Sequence, residues 1–235
     1  MRLTRRLLGG VLAALLLAAA TPAAAARADA AAPARGAESC PTAHRTAATT
    51  TAPPALEDYY QGDWRLGPAF LPRTGVVGRM LRGYHAQDST SPYWILGCYW
   101  QTSQATNQSG WWYPDNNGFV LRDGRPVEHA LRLRAGQLVD LFGSGRGSFL
   151  APVGTPYAER ALPPTNLDEY SATGPVVNYH LYRVAKQFIV QAGPIRPWFG
   201  QPGLGTQYWT AYADSTRTVA FLKAQGFLDE IPQQQ

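Results

Sequence analysis

Apolar residues along this chain of 235 residues recur in short alternating runs and seldom at helical spacing. Alternation is visible at Leu131/Leu133, through 138–142, at Tyr179/Leu181 and through 188–190, and the stretch 206–212 is rich in β-forming residues. Such alternation puts successive side chains on opposite faces of a strand. Gly, Pro and Asn separate the runs; Asp115-Asn116-Asn117-Gly118 and Arg122-Asp123-Gly124-Arg125 read as turns. Helical spacing is confined to a weak candidate at 76–82 and a better one near the C-terminus. There Asp214 or Ser215 can cap a helix, Val219, Phe221 and Leu222 supply an apolar face, and Gly226 can end it. The pattern predicts an α+β fold: a mainly antiparallel β core over 111–235 with a C-terminal helix, and a small, partly helical N-terminal cap over 56–110.

The N-terminal residues change the reading of the charge. Arg2, Arg5 and Arg6 precede an apolar run at 7–20 and small-residue cleavage sites, so 1–28 reads as a signal peptide of the Sec or twin-arginine type. Net charge is +5, but Arg2, Arg5, Arg6 and Arg27 lie in that segment, and its removal leaves +1. A nearly neutral mature chain lacks the electrostatic pull that nucleic acid or an anionic membrane requires. The expected product is secreted, with no nucleic-acid and no membrane partner. Residues 29–55, rich in Ala, Thr and Pro, read as a flexible lead-in. Cys40 and Cys98 are the two cysteines; in an exported protein they are expected to pair and pin the lead-in to the domain, the alternative being two thiols. No HExxH or CxxC spacing occurs, so no metal site is expected.

Candidate chemistry gathers where rigid turns hold few polar groups, in DLFGSGRGSFLAPVGTPYAERALPP (140–164), NYHLYRV (178–184) and QAGPIRPWFGQPGLGTQY (191–208). Gly143, Gly145 and Gly147 form a loop whose amides can cradle a phosphate, although the spacing is not that of a Walker or dinucleotide fingerprint. Arg160 offers a planar fork suited to phosphate, or else a surface ion pair with Glu159. His180 reads as catalytic or as a satisfied strand residue. Gln207 carries an amide able to hold a sugar hydroxyl or orient a water. Trp111, Trp112, Tyr113, Phe119 and Trp198 supply rings for stacking, most of which a small β domain needs for its core. No GxSxG occurs, and His180 has no evident acid partner in the sequence.

These segments, in order, resemble the NAD glycohydrolase family of the tuberculosis necrotizing toxin: NNGFVL, FGS, GTPY..RALPP, YHLYRV and GPI.PWFGQPG.GTQY. YYQGDWRLGP (59–68) resembles the N-terminal region of that family's secreted fungal NADases. The likeness runs over roughly residues 57–212. It implies cleavage of NAD+, and of NADP+, to nicotinamide and ADP-ribose, with the dinucleotide as substrate and no cofactor. It implies activity at positions matched by His180, Gly203 and Gln207, an active-site arginine at Arg160 and an aromatic lining the nicotinamide end at Phe119. Trp198 is a further substrate-binding candidate. Two positions depart from the family pattern: Leu141 stands where an arginine is usual, and Phe149 where a tyrosine is frequent. Arg146, in the same loop, is expected to replace the missing arginine. Fungal members imply a homodimer and a calcium site, but no carboxylate cluster at this C-terminus supports calcium. A homodimer and an inhibitor protein stay open. So do ADP-ribosyl transfer, for which 195–212 lacks any acidic residue, and an inactive NAD-binding module, for which Leu141 speaks.

Overall fold

A computed structural model of the chain describes Cys40 and residues 57–84, 93–103, 106–171 and 174–233. The expected signal peptide and all of the lead-in but Cys40 lie outside the described residues. In chain order the regular elements are α1 (Gly75–Met80), α2 (Tyr93–Tyr99), β1 (Trp100–Thr102), β2 (Ser109–Trp111), β3 (Leu121–Arg122), β4 (Arg125–Pro126), β5 (His129–Leu133), β6 (Leu138–Phe142), β7 (Phe149–Pro152), α3 (Tyr157–Arg160), β8 (Asp168–Ser171), β9 (Gly174–Val177), β10 (Tyr179–Val184), β11 (Phe188–Pro194), β12 (Thr206–Trp209), α4 (Val219–Ala224) and β13 (Leu228–Ile231).

Seven strands make one antiparallel sheet in the order β13-β10-β6-β7-β12-β11-β5. The α+β class expected from the alternation is what the chain adopts. Alternation also sets the layers. Tyr182 and Val184 point to one face, where they join Val139, Leu150, Val190 and Tyr208 beneath Val219 and Leu222 of α4. Tyr179 and Leu181, one residue out of phase, point to the other face and pack with Phe142, Tyr157, Leu167 and Met80. Burying side chains of this size contributes roughly 2 kcal/mol each, so both layers are needed to hold the sheet.

The turn between β3 and β4 forms as its Asp-Gly predicts, with positive φ at Asp123 (52°) and Gly124 (74°). The C-terminal helix differs in its cap. Thr218, not Asp214 or Ser215, accepts the Phe221 amide at 3.2 Å. Asp214 instead closes the preceding turn by accepting from Thr216. Phe221 stays 38 % exposed, and the helix leads through Gly226 into β13, a strand the alternation does not announce.

The N-terminal segment packs a third cluster from Leu66, Ile95, Leu96, Cys98 and Tyr99 against Phe199 of the loop between β11 and β12. Cys40 and Cys98 form a disulfide. Tyr99, Trp111 and Tyr113 surround Phe199 at centroid distances of 5.1–5.5 Å. The division expected between residues 110 and 111 falls inside β2, which pairs with β1 through Trp100↔Trp111.

Candidate active site

A cavity of about 510 Å³ opens beside the middle of the large sheet. Four pieces wall it: the turn 113–118, the end of β6 with the glycine loop and β7 (140–151), the end of α3 with Asn166, and Ile195, Arg196 and Gln207. The volume falls within the usual range of ligand clefts.

Gln207 lies on β12 opposite Gly193 of β11 and is 8 % exposed. Its Nε2 donates to the carbonyl of Asn117 at 2.8 Å. That bond settles which way the amide faces: Nε2 is used, and Oε1 meets no donor among the described residues. The receiving turn is unusual, since Asn116, Asn117 and Gly118 all have positive φ (56°, 54° and 74°). Asn and Gly are the residues that tolerate this region at least cost.

Arg160 also lines the cavity, and its partner is not Glu159. Its Nη2 lies 2.7 Å from Asp140 Oδ1 in a pair whose side chains are 4 % and 0 % exposed. Its Nε donates to the Thr155 carbonyl at 2.9 Å, and its guanidinium sits 5.1 Å over the Phe142 ring. Asp140 Oδ2 accepts from the Gly154 amide (3.0 Å) and the Tyr179 hydroxyl (3.1 Å). Burial pushes the Asp140 carboxyl above its ordinary range, while Arg160 and these donors pull against it. The charge of Arg160 is therefore largely spent inside the wall.

His180 is two residues along the same strand face from Tyr182, with parallel rings 6.1 Å apart. Its Nδ1 meets Glu230 of β13 at 2.6 Å and its Nε2 meets Asn178 Oδ1 at 3.1 Å. The acid partner exists; it comes from a strand 50 residues away. His180 is not among the cavity-lining residues, but it lies under the glycine loop. A Cβ at Gly145 (φ 70°) would stand 3.1 Å from the Tyr182 hydroxyl and 3.5 Å from His180 Nε2.

Of the other expected residues, Phe149 lines the cavity and is 38 % exposed. Arg146 is exposed on the glycine loop, outside the lining. Phe119 is wholly buried behind it, against Gly193. Trp198 donates from Nε1 to the Trp112 carbonyl at 2.7 Å within the aromatic cluster. Gly203 (φ 62°) presses the loop against its neighbour: an added Cβ would meet the Ile195 carbonyl at 2.8 Å and Arg196 at 2.9 Å. Leu141 lines the cavity, and so does Arg196, a residue the sequence reading did not single out although it stands within GPIRPWFG. Among the described residues, no group of three His, Cys, Asp or Glu side chains converges as metal ligands would.

An antiparallel sheet with a walled cleft, a fixed amide and two arginines has the features of a ligand-pocket domain. Comparisons with known proteins sharpen that class. Residues 132–231 match the family described as Tuberculosis necrotizing toxin. The conidial surface nicotinamide adenine dinucleotide glycohydrolase nadA of Aspergillus fumigatus is 44 % identical over 155 residues, which are 66 % of this chain and 65 % of that protein. The chain thus spans a little under two thirds of the relative's length. The family resemblance carried by the motifs is borne out over these matched stretches. Among solved structures, tuberculosis necrotizing toxin complexed with its immunity factor has a TM-score of 0.43 at 23 % identity, over 57 % of this chain and 68 % of that one. Rhs1-CT in complex with its cognate immunity protein has a TM-score of 0.33 at 17 % identity, over 52 % of this chain and 85 % of that one.

Proposed function

We propose that the chain is a secreted NAD+ glycohydrolase that also accepts NADP+, hydrolysing the bond between nicotinamide and ribose to give nicotinamide and ADP-ribose without a metal or cofactor. The observation that carries the reading is Gln207. It is the amide the resemblance ties to activity, and it lines the cavity with Nε2 committed and Oε1 facing no donor among the described residues. The likeness to a fungal NAD glycohydrolase supports the same substrate. The signal-like N-terminus and the disulfide support work outside the cytosol.

The chemistry asks little acid catalysis of the protein. Nicotinamide leaves a cationic ring as a neutral molecule, so no proton is delivered to it. What develops is an oxocarbenium-like ribose, and the enzyme gains rate by binding that state more tightly than the ground state. Gln207 Oε1 accepts from a ribose hydroxyl or from the attacking water and orients it. Phe149 and the apolar wall at Leu141, Phe142 and Leu150 keep bulk water from the reacting carbon. The paired-carboxylate arrangement of common glycosidases has no counterpart: the acids lining the cavity are Asp115, exposed, and Asp140, taken up by Arg160. Arg160 positions the α3 wall, and His180 positions the glycine loop.

Turnover of NAD+ by the wild type and by Gln207→Ala, followed by nicotinamide release, tests the reading. Removing one preorganised transition-state contact is expected to lower kcat by about 10²–10³-fold. Absence of wild-type turnover would instead favour the inactive binding module, for which the departure at Leu141 speaks.

A further inference from the structure

The cavity lining contains two cations, Arg160 and Arg196. The first is neutralised by Asp140 within the wall. The second is not. Arg196 makes no side-chain hydrogen bond or ion pair among the described residues, and its Nη2 is buried without a partner. A buried guanidinium nitrogen facing no acceptor is a cost that a fold rarely carries without a reason.

Its backbone, by contrast, is held on every side. The Arg196 amide donates to Gly118 at 2.7 Å, the Ile195 amide to Gly205 at 2.8 Å, and the Leu204 amide to Ile195 at 2.8 Å. Pro197 follows and disfavours the helical region at Arg196. Gly118 adjoins the carbonyl that receives Gln207, so the unpaired cation and the oriented amide are built on one wall. The same cavity is lined by Leu141, where the family pattern has an arginine, and by the ends of the glycine loop at Ser144 and Gly147. The amides of Ser144, Gly145, Arg146 and Gly147 donate to nothing among the described residues.

We propose that Arg196 is the anion-holding residue of this cleft: it takes the diphosphate of the dinucleotide, together with the glycine loop, and replaces the cation that Leu141 lacks. The assignment rests on the dinucleotide reading of the site for its ligand. Gln207 and Arg196 line the same cavity, so one dinucleotide can meet both. A guanidinium with no protein partner suits phosphate oxygens because it can turn to give them two parallel donors, and its backbone is already fixed. Arg146, exposed outside the lining, is not needed for this task.

Binding of ADP-ribose and of adenosine, measured by calorimetry on the full mature protein, tests the assignment. Arg196→Ala is expected to weaken ADP-ribose by about 10–100-fold, the loss of a charge-assisted contact, and to leave adenosine unchanged. Arg196→Lys, which keeps the charge and most of the stem, is expected to recover part of the loss. Its melting temperature, matched to the wild type, shows that the fold is intact. A change under about threefold for ADP-ribose in either folded variant, an equal loss for adenosine, or no ADP-ribose binding by the wild type overturns the proposal. Arg196-dependent binding without nicotinamide release from NAD+ keeps the anion site and removes the hydrolase. Nicotinamide release with ADP-ribose binding untouched by Arg196→Ala does the reverse.

Discussion

Replacing Asp140 by Asn removes the charge from one half of the buried pair and leaves its shape. Asp140 is wholly buried and its partner Arg160 is 5 % exposed, so water cannot repair the loss. Asn keeps an acceptor for Gly154 and Tyr179, and the change isolates the charge on Arg160. Leaving a buried cation without its anion costs about 3–5 kcal/mol. In a domain of this size one kcal/mol moves the melting temperature by roughly 2–4 °C, so Asp140→Asn is expected to melt about 6–20 °C below the wild type. Arg160→Met removes the stranded cation while keeping an unbranched chain over Phe142. The double variant is therefore expected to recover about 2 kcal/mol relative to the sum of the two single changes. Circular dichroism melts of the four proteins give the cycle. A drop below about 3 °C for Asp140→Asn, or a coupling under about 0.5 kcal/mol, would show that the pair does not hold the cavity wall.

Further outcomes follow from other sites. Burial pushes the Asp168 carboxyl from 3.8 up to about 8, and its Oδ1 has no partner among the described residues. Because the folded value is raised, its contribution is fully present below about pH 4 and is lost as pH rises through about 8. Melting temperatures should fall from pH 5 to pH 8.5 in the wild type and less steeply in Asp168→Asn; equal slopes would remove Asp168 as the cause. Gly203→Ala forces a left-handed residue against Ile195 and Arg196; the backbone alone costs about 1–2 kcal/mol. The displaced Arg196 should raise KM for NAD+, and unchanged kinetics would show that the loop does not position it. The Cys40–Cys98 bond closes a loop with a sequence separation of 58, worth about 4 kcal/mol in the chain-entropy model. Reductant should lower the melting temperature of the wild type, and an unchanged melt would show that the N-terminal tether is not stabilising.

Strands with one buried face per parity were legible in the sequence, because alternation records which side chains leave the water. β6, β10, β11 and β12 and the Asp123-Gly124 turn are of this kind. β13 was not legible, because only Leu228 of its four residues is fully buried and its place is fixed by pairing with β10. α2 lies in a cap whose aromatic residues resist both periodicities. Gln207, Arg160 and Phe149 were found from turn-flanked polar and aromatic residues together with the family motifs, and all three line the cavity. The partners were not legible: Asp140 meets Arg160 through the packing of α3 on β6, 20 residues away, and Glu230 meets His180 through the pairing of β10 with β13, 50 residues away. Arg196 was passed over too, since contacts with Gly118 and Gly203 that no local pattern announces place its backbone.

The central place of β12 orders events during synthesis. The strand lies between β7 and β11, yet it comes from residues 206–209, near the end of the chain. Until it inserts, the two parts of the sheet are not joined and no amide reaches Asn117. Long-range pairing of this sort is slow to form. A chain without residues 206–209 has no closed cleft, and the cleft is completed in a single late step.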